Sequence, residues 1–293
     1  MNGYSRRDFL KTGIVAGALA SVGPLPLEAA RRTATDKVTL GKSGIAVTRL
    51  AFGTGSHNGH VQAALGQQGF SKLIHYAYDR GIRFFETAEA YATPAMLGEA
   101  LKPFPRESYV LMNKVTTDPG ADPLRRFDEM RRVSNTEYFD IMLLHWQHTG
   151  DWVAETEPWQ EGMLQAQTKK IILSHGASVH GLPALRQVPG NKFLEVAMIR
   201  MNHNGTSMDG AVADDGNPGN VVEVVQHVKQ VKKEGMGVVS MKLCGNGTFI
   251  RHEDRVAAMR FAMQNAGVDC VTVGFKNNQE VDEAIDNLNL ALS

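Results

Sequence analysis

The stretch "GIRFFETAEAYATPAMLGEAL", residues 81–101, changes its character twice. A short apolar run comes first, as in a strand, and a segment of small and apolar residues comes last, as at the opening of a helix. Between them stand two carboxylates and a phenol, those of Glu86, Glu89 and Tyr91. A strand that leads through a polar loop into a helix is the repeating unit of α/β folds. The stretch predicts such a fold and raises the question of whether its polar residues are catalytic.

Eight apolar runs of this kind follow one another along the chain. They are continuous and lack strict alternation of apolar and polar residues, which is typical of parallel strands covered on both faces. The runs span residues 48–54, 82–87, 109–115, 139–146, 170–178, 194–202, 237–243 and 269–275.

Segments with a helical period lie between these runs. Three of them end at a glycine after a polar last turn, which is a signal for the end of a helix: Gly81, Gly235 and Gly267. The helices after the fourth and fifth runs are less clear. Eight strand–helix units predict a (β/α)₈ TIM barrel, and a chain of 293 residues needs no second domain for it.

Two further patterns bear on this fold class. A doubly wound open sheet is the rival, but the glycines of "FGTGSHNG", residues 52–59, have no helix directly after them, as a dinucleotide fingerprint requires. Residues 38–50 read as two short strands around a Lys-Ser-Gly turn. They predict a β-hairpin that caps the bottom of the barrel.

The bulk composition limits the partners. The chain has 31 basic and 31 acidic residues, and this zero formal charge argues against a nucleic-acid partner. The two cysteines, Cys244 and Cys270, are too few for a disulfide framework and lack the spacing of metal ligands.

The first thirty residues differ from the rest. The basic "SRRDFLK", residues 5–11, precedes a weakly apolar run rich in glycine and alanine, and a small-residue exit follows. The run is far below the ~18 apolar residues of a membrane span. The pattern predicts a twin-arginine signal over residues 1–30, export to the periplasm or exterior by the twin-arginine machinery, and one domain over residues 31–293. A disordered tail that happens to contain two arginines is the alternative.

Chemistry in such barrels sits at the C-terminal ends of the strands. The residues at the ends of the second, third and fourth predicted strands include Glu86 with Tyr91, Lys114 and His145, respectively. A phenol is a weak acid with a pKa near ~10, and a nearby ammonium lowers that pKa, while a carboxylate holds the ammonium in place. An imidazole can polarise a carbonyl oxygen that is about to receive a proton.

These residues resemble the aldo-keto reductases. The similarity lies in "FFETAEAY", the lysine of "MNKV" and the histidine of "LLHW", and extends to residues 40–55 and 267–285. The resemblance implies a barrel that binds NADP or NAD across its mouth and transfers hydride to a small carbonyl compound, or from an alcohol in reverse. It implies Tyr91 as proton donor, Lys114 as its pKa-lowering partner, His145 as carbonyl orienter and Glu86 as the carboxylate, whereas Glu89 is expected to be solvated.

The resemblance also implies a set of cofactor-binding residues, with departures. The set comprises Gly53, Thr54, Ser178, Met241, Lys242, Gly274, Lys276 and Glu283. Glu86 stands where the family has aspartate, Val179 replaces an asparagine, Met198 a glutamine and Met241 a stacking tyrosine. An arginine typical of strong NADPH binding after the eighth strand is also missing.

Two alternatives stay open at this point. The altered nicotinamide contacts allow a barrel that binds a small molecule with weak or lost hydride transfer. Histidines at strand ends allow a metal-assisted hydrolase, although their spacing does not match known ligand patterns, and we predict no metal site. They are His57, His60, His145, His148, His180 and His203.

Two loops are candidates for substrate contacts. Trp146, Trp152 and Trp159 follow the fourth strand and predict either a stacking surface for flat or sugar-like substrates or a loop held by its own apolar residues. Residues 203–220 form a long loop rich in Gly, Asp and Asn, which is a candidate lid or a disordered insert. The substrate itself is not evident from the sequence.

Overall fold

A computed structural model of the chain describes residues 32–213 and 218–293. The predicted signal, residues 1–30, lies outside the described residues. The strands are β1 (Lys37–Thr39), β2 (Ala46–Thr48), β3 (Leu50–Gly53), β4 (Phe84–Glu86), β5 (Val110–Val115), β6 (Phe139–Gln147), β7 (Ile172–Val179), β8 (Val196–Arg200), β9 (Gly237–Met241) and β10 (Cys270–Gly274). The helices are α1 (His60–Ala63), α2 (Gly66–Asp79), α3 (Pro94–Leu101), α4 (Pro123–Val133), α5 (Trp152–Glu155), α6 (Glu157–Thr168), α7 (Leu182–Leu185), α8 (Val221–Lys233), α9 (His252–Arg260) and α10 (Asn278–Leu292).

Strands β3 to β10 form a closed parallel barrel in which each strand pairs with the next and β10 returns to β3. Each of the eight predicted runs overlaps one of these strands, with ends that agree to within two residues, so the predicted (β/α)₈ barrel is confirmed. The short α1 directly follows the glycines of residues 52–59, although no helix was predicted there from the sequence. The closure of the sheet nevertheless excludes the doubly wound alternative.

The predicted hairpin is present as β1 and β2, which pair antiparallel. Its turn meets the chain just before β9, where the Lys42 backbone N–H donates to the Gly235 carbonyl over 2.7 Å. Leu40 and Val47 are fully buried in one cluster with side chains from inside the barrel. The hairpin therefore closes the end of the barrel opposite the C-terminal strand ends.

Side chains alternate between the barrel interior and the surrounding helices. The interior cluster contains Phe84, Met112, Leu143, Met198 and Met241, all at least nine-tenths buried. Two residues further along four strands, the same alternation directs Glu86, Lys114, His145 and Arg200 into the C-terminal mouth. The mouth is thus a polar layer set on an apolar interior.

The observed helices agree with the sequence prediction where the helical pattern of apolar residues continues over many residues. Gly81, Gly235 and Gly267 have φ values of 96°, 81° and 74°, the left-handed conformation expected after a helix end. The link from β7 to β8 contains only the short α7, which explains its weak signal. Within residues 32–213 and 218–293, no helix is both long and apolar enough to cross a membrane.

Candidate active site

A buried ion pair lies at the ends of β4 and β5. The Lys114 ammonium donates hydrogen bonds to Glu86 Oε1 and to the Thr87 carbonyl, the latter over 2.8 Å. Lys114 is 1% exposed and Glu86 3%. Since one lone buried charge costs several kcal/mol, each of these groups depends on the other. The longer glutamate side chain still reaches the lysine.

Tyr91 completes this arrangement from the loop after β4. The Lys114 Nζ lies 4.6 Å from the centre of the Tyr91 ring, and the His145 ring stands edge-on to it with 5.6 Å between ring centres. The Tyr91 backbone N–H donates to the Ala88 carbonyl over 3.0 Å, which fixes a tight turn. The structure therefore brings together the four residues predicted to be catalytic.

The protonation states follow from burial and charge. Burial raises the pKa of Tyr91, whereas the Lys114 ammonium lowers it, as expected of this lysine; the effect of burial is the larger of the two, and the net shift is upward. Burial lowers the pKa of Lys114, but the Glu86 carboxylate and Tyr91 together raise it by more than burial lowers it. The net shift of this pKa is therefore upward. The site therefore holds a protonated phenol beside a charged ammonium.

His145 is expected to stay neutral across the physiological range. Burial, with a smaller effect of the Lys114 charge, lowers its pKa from 6.5 to about 3. Because the folded pKa lies below the unfolded one, protons bind the unfolded state more tightly, so the folded protein loses stability as the pH falls from 6.5 towards 3. In an NMR titration, with His145→Gln to assign the signal, the ring should not titrate from about pH 8 to about pH 5. A midpoint near 6.5 would contradict this.

A glycine from the loop after β3 packs against the proton-donor ring. A Cβ on Gly55 would lie 2.5 Å from Tyr91 Cε2 and 2.7 Å from its hydroxyl oxygen. Gly55→Ala should displace the phenol and lower kcat by about ten- to a hundredfold, with a folded protein by circular dichroism. Gly150→Ala is the matched control, because a Cβ there has nothing within 4 Å, and its activity should be unchanged. Equal activity in both variants would show that the ring position does not matter.

An extra residue in β6 changes which side chains reach the mouth. Leu144 pairs with Ala177 and Gln147 with Val179, so two residues of β6, His145 and Trp146, lie opposite one residue of β7. Trp146 has a left-handed backbone with a φ of 58°. This β-bulge turns the indole towards the mouth beside His145, where simple alternation would point it towards the helices.

The two predictions for the tryptophans, a stacking surface or a loop held by its own apolar residues, each apply to some of them. Trp152 and Trp159 are 0% and 3% exposed, and their indole N–H groups donate to the Ala184 and Asp118 carbonyls over 3.1 and 3.3 Å. Trp146 is 38% exposed and lines a cavity of about 430 Å³ with polar neighbours, Thr117, Gln147, His148, Thr149 and Glu155 among them. Two tryptophans hold the loop together, and one faces solvent at the mouth.

The predicted cofactor residues on β3 and β10 form a crowded backbone surface. A Cβ on Gly53 would meet Thr272 Cγ2 at 2.6 Å, and one on Gly274 would meet Ser56 Oγ at 2.2 Å. Thr54 is fully buried, and its hydroxyl accepts a hydrogen bond from Thr93 over 2.8 Å. These residues therefore shape one rim of the mouth.

Charged residues at the start of α10 are arranged in pairs. The Lys276 ammonium lies 3.4 Å from Glu280, and Glu283 accepts from Arg255 Nε over 2.6 Å. Arg255 comes from α9, and sequence reasoning missed it as a partner of Glu283. Asn277 caps the helix by accepting from the Glu280 backbone N–H over 2.9 Å. This end of the mouth offers cations and a helix N-terminus, each cation beside a carboxylate.

The opposite side of the mouth, on β7 to β9, holds Ser178, Met241 and Lys242. Ser178 Oγ is 3.0 Å from His180 Nε2, and Met241 is 7% exposed in the interior cluster. Val179 instead packs on the outside of the barrel, against the helices. The Lys242 ammonium lies 5.9 Å from the centre of the Trp146 indole. Arg200 and Asp209, both buried here, were missed from the sequence, although Arg200 lies two residues after the inward-facing Met198.

Two further expectations concern polar groups near the site. Glu89 is not solvated as expected, because it accepts the Thr116 backbone N–H over 2.7 Å and its side chain is 15% exposed. In the part of the chain that the structure describes, no three His, Cys, Asp or Glu side chains are grouped as a metal ion would require.

Comparison with known proteins gives two matches to protein families. Residues 49–256 match the aldo/keto reductase family, and residues 3–23 match the twin-arginine translocation pathway signal sequence. The chain is 36% identical over 108 residues to "Probable aldo-keto reductase 1" of Glycine max and 33% identical over 126 residues to the 6-dehydroglucose reductase of Novosphingobium aromaticivorans. These alignments cover 34% and 36% of this chain, and 29% and 40% of the two relatives.

Solved structures show the same fold. The holo form of an aldo-keto reductase from Bacillus halodurans superposes with a TM-score of 0.68 at 16% identity, over 88% of this chain and 95% of that one. An aldo-keto reductase from Klebsiella pneumoniae in complex with NADPH gives a TM-score of 0.66 at 16% identity, over 87% of this chain and 89% of that one.

Proposed function

The chain belongs to the aldo/keto reductase family, and from this membership we propose that it is an NAD(P)-dependent oxidoreductase that reduces an aldehyde or ketone, or catalyses the reverse oxidation. One observation carries the proposal: the Tyr91 phenol, the buried Lys114 ammonium and the His145 imidazole lie side by side at the mouth of the barrel. These three groups are what a carbonyl oxygen requires while it gains negative charge and then a proton.

The residues present fit a nicotinamide dinucleotide. Gly53 and Gly274 keep side chains out of the rim, and Lys276 with the α10 N-terminus offers positive charge suited to phosphate. Ser178 offers a hydroxyl for the carboxamide, and Met241 an apolar surface for the ring. Thr54, Lys242 and Glu283 complete the proposed set. The bound dinucleotide supplies the hydride for the carbonyl carbon.

The proposed proton chemistry belongs to the chain itself. The neutral His145 donates an N–H hydrogen bond to the substrate carbonyl oxygen, and Tyr91 transfers its phenolic proton to that oxygen. The adjacent Lys114 ammonium stabilises the phenolate that remains, and Glu86 holds the ammonium in place. Solvent then returns a proton to Tyr91, and in the oxidative direction each proton transfer is reversed.

For the substrate we propose a sugar-like carbonyl compound. The half-exposed Trp146 offers an aromatic face, and hydroxyl, amide and carboxylate groups line the same cavity. Flat or sugar rings stack on such a face while their hydroxyl groups bind the polar wall. The curated relative named 6-dehydroglucose reductase supports this choice of substrate class.

We also propose that the enzyme acts in the periplasm and carries its nucleotide through export. The match to the twin-arginine signal supports this location. Because that pathway moves folded proteins, the nucleotide can already be bound when the protein is exported. A ligand bound before export stabilises the folded state by RT ln(1 + [L]/Kd). The barrel itself, residues 31–293, is proposed as one domain.

Nucleotide binding tests the proposal. The full chain, purified in its native state from the exterior fraction, should carry NADP or NAD in its mass spectrum. Addition of NADPH or NADH to the emptied protein should quench its fluorescence with a Kd of about 1 μM or tighter. Bound nucleotide without turnover of any aldehyde would favour the small-molecule-binding alternative. Absence of binding together with metal-dependent hydrolysis would favour the hydrolase.

A further inference from the structure

Behind the exposed indole of Trp146 lies a row of buried polar side chains that the proposed proton transfer does not use. His180, Arg200 and Asp209 are 4%, 1% and 0% exposed. Arg200 Nη2 donates to His180 Nδ1 over 2.8 Å, and Arg200 Nε lies 3.4 Å from Asp209 Oδ1. Buried polar groups of this kind are costly unless they are paired, and each of these three has a partner within the row.

The hydrogen bonds define the tautomer of His180. Arginine has donors only, so His180 Nδ1 is the acceptor. Burial and the nearby charges of Arg200 and Lys242 keep the pKa of His180 well below its usual value, and the ring is neutral. Its single proton therefore sits on Nε2 and is donated to Ser178 Oγ over 3.0 Å. Bonds at both nitrogens fix the plane of the ring.

The ring that is fixed in this way supports Trp146. The two ring centres are 4.1 Å apart, and the planes are inclined by 43°. The His180 backbone N–H also donates to the Gln147 carbonyl over 2.7 Å, next to the bulge. The left-handed backbone is unfavourable for a residue such as Trp146 and persists only when the surrounding structure holds it. His180 contacts the indole and the bulge together.

The far end of the row is attached to the loop after β8. Asp209 Oδ1 accepts the Gly181 backbone N–H over 2.6 Å, and the Gly210 carbonyl accepts from Leu182 over 2.8 Å. Asp209 thus links Arg200 to the chain segment that directly follows His180. The row is anchored at both ends by backbone contacts.

We propose that His180, Arg200 and Asp209 are positioning residues that hold the Trp146 indole at the barrel mouth and thereby set the width of the substrate cavity. This role in substrate choice rests on the proposed function, with sugar-like carbonyl compounds as the ligand class. The row acts through Trp146 and has no part in proton transfer. A variant of the row that keeps the hydrogen bond to Ser178 is therefore expected to weaken substrate binding and to leave the chemical step intact.

The test compares two glutamine variants of buried histidines. His180→Gln keeps an acceptor for Arg200 and a donor for Ser178 but removes the ring under Trp146. Acrylamide quenching of the full chain reports on Trp146, because the other two tryptophans are nearly fully buried. We expect His180→Gln to raise the accessible quenching about twofold and KM about tenfold, with kcat within about threefold. Asp209→Asn should change both in the same direction by less.

His175→Gln is the matched control. His175 is also 4% exposed and stacks on an aromatic ring, that of Phe193, with 4.4 Å between ring centres. It lies on the helix-facing side of β7, so its replacement should leave Trp146 quenching and KM unchanged. Unchanged quenching in a folded His180→Gln protein, or an equal change in both variants, would overturn the positioning role. The quenching result does not depend on turnover. It therefore tests the positioning role even if the protein does not catalyse the proposed reaction.

Discussion

Tyr91→Phe is expected to lower kcat for carbonyl reduction by about a thousandfold, within the ~10²–10⁴ range of general acid catalysis. The phenol is the proton donor that we propose, and its ring contacts with Lys114 and His145 do not need the hydroxyl. The Kd for the nucleotide should stay within about twofold of wild type, because the mutation removes only a group that acts in the transition state.

Tyr109→Phe is the matched control for this loss. Tyr109 is a buried tyrosine, 8% exposed, whose pKa is also raised by burial. It lies at the start of β5 with its ring edge-on to Phe85 at 6.0 Å between ring centres. Its activity should equal that of wild type. Full activity in Tyr91→Phe would show that the proton comes from another group.

Lys114→Met is expected to lower both activity and stability. The variant leaves Glu86 as a buried carboxylate without its partner, and breaking such a pair costs about 3–5 kcal/mol in the free energy of unfolding. Loss of the ammonium beside Tyr91 also removes the charge that stabilises a phenolate, so kcat should fall by at least about a hundredfold. Denaturant unfolding and steady-state kinetics measure the two effects separately.

The double variant Glu86→Gln with Lys114→Met separates the two roles of the pair. Removing both charges should recover most of the lost free energy of unfolding, because replacing a whole buried ion pair is often close to neutral. Activity should stay low, since the ammonium is still absent. Recovery of activity in the double variant would show that Lys114 serves only to neutralise Glu86.

The sequence predicted the barrel well because its signals are local. Apolar runs, helix-ending glycines and the hairpin turn each depend on a few neighbouring residues. The residues predicted to be catalytic lie at successive strand ends, and barrel closure alone brings those ends together. The short α1 and α7 were missed because four residues are too few for a helical period to show.

The features that were missed depend on distant parts of the chain. The extra residue in β6 next to Trp146 has no characteristic amino-acid composition, so the sequence did not indicate the β-bulge that sets the direction of the indole. Asp209 reaches Arg200 from a long loop, and Arg255 reaches Glu283 from another helix. The net pKa of Tyr91 depends on how deeply the folded chain buries it, which the local sequence does not encode.

Transfer of a labelled hydride tests the central claim most directly. The full chain is incubated with a nitrobenzaldehyde and with NADPH or NADH that carries deuterium at the reactive carbon of the nicotinamide, and the alcohol is analysed by mass spectrometry. The account predicts that the product contains one deuterium on its carbinol carbon and that Tyr91→Phe forms almost none of it. A wild-type protein that binds the nucleotide yet yields no labelled alcohol, from this aldehyde or from a sugar-derived one, would contradict the account.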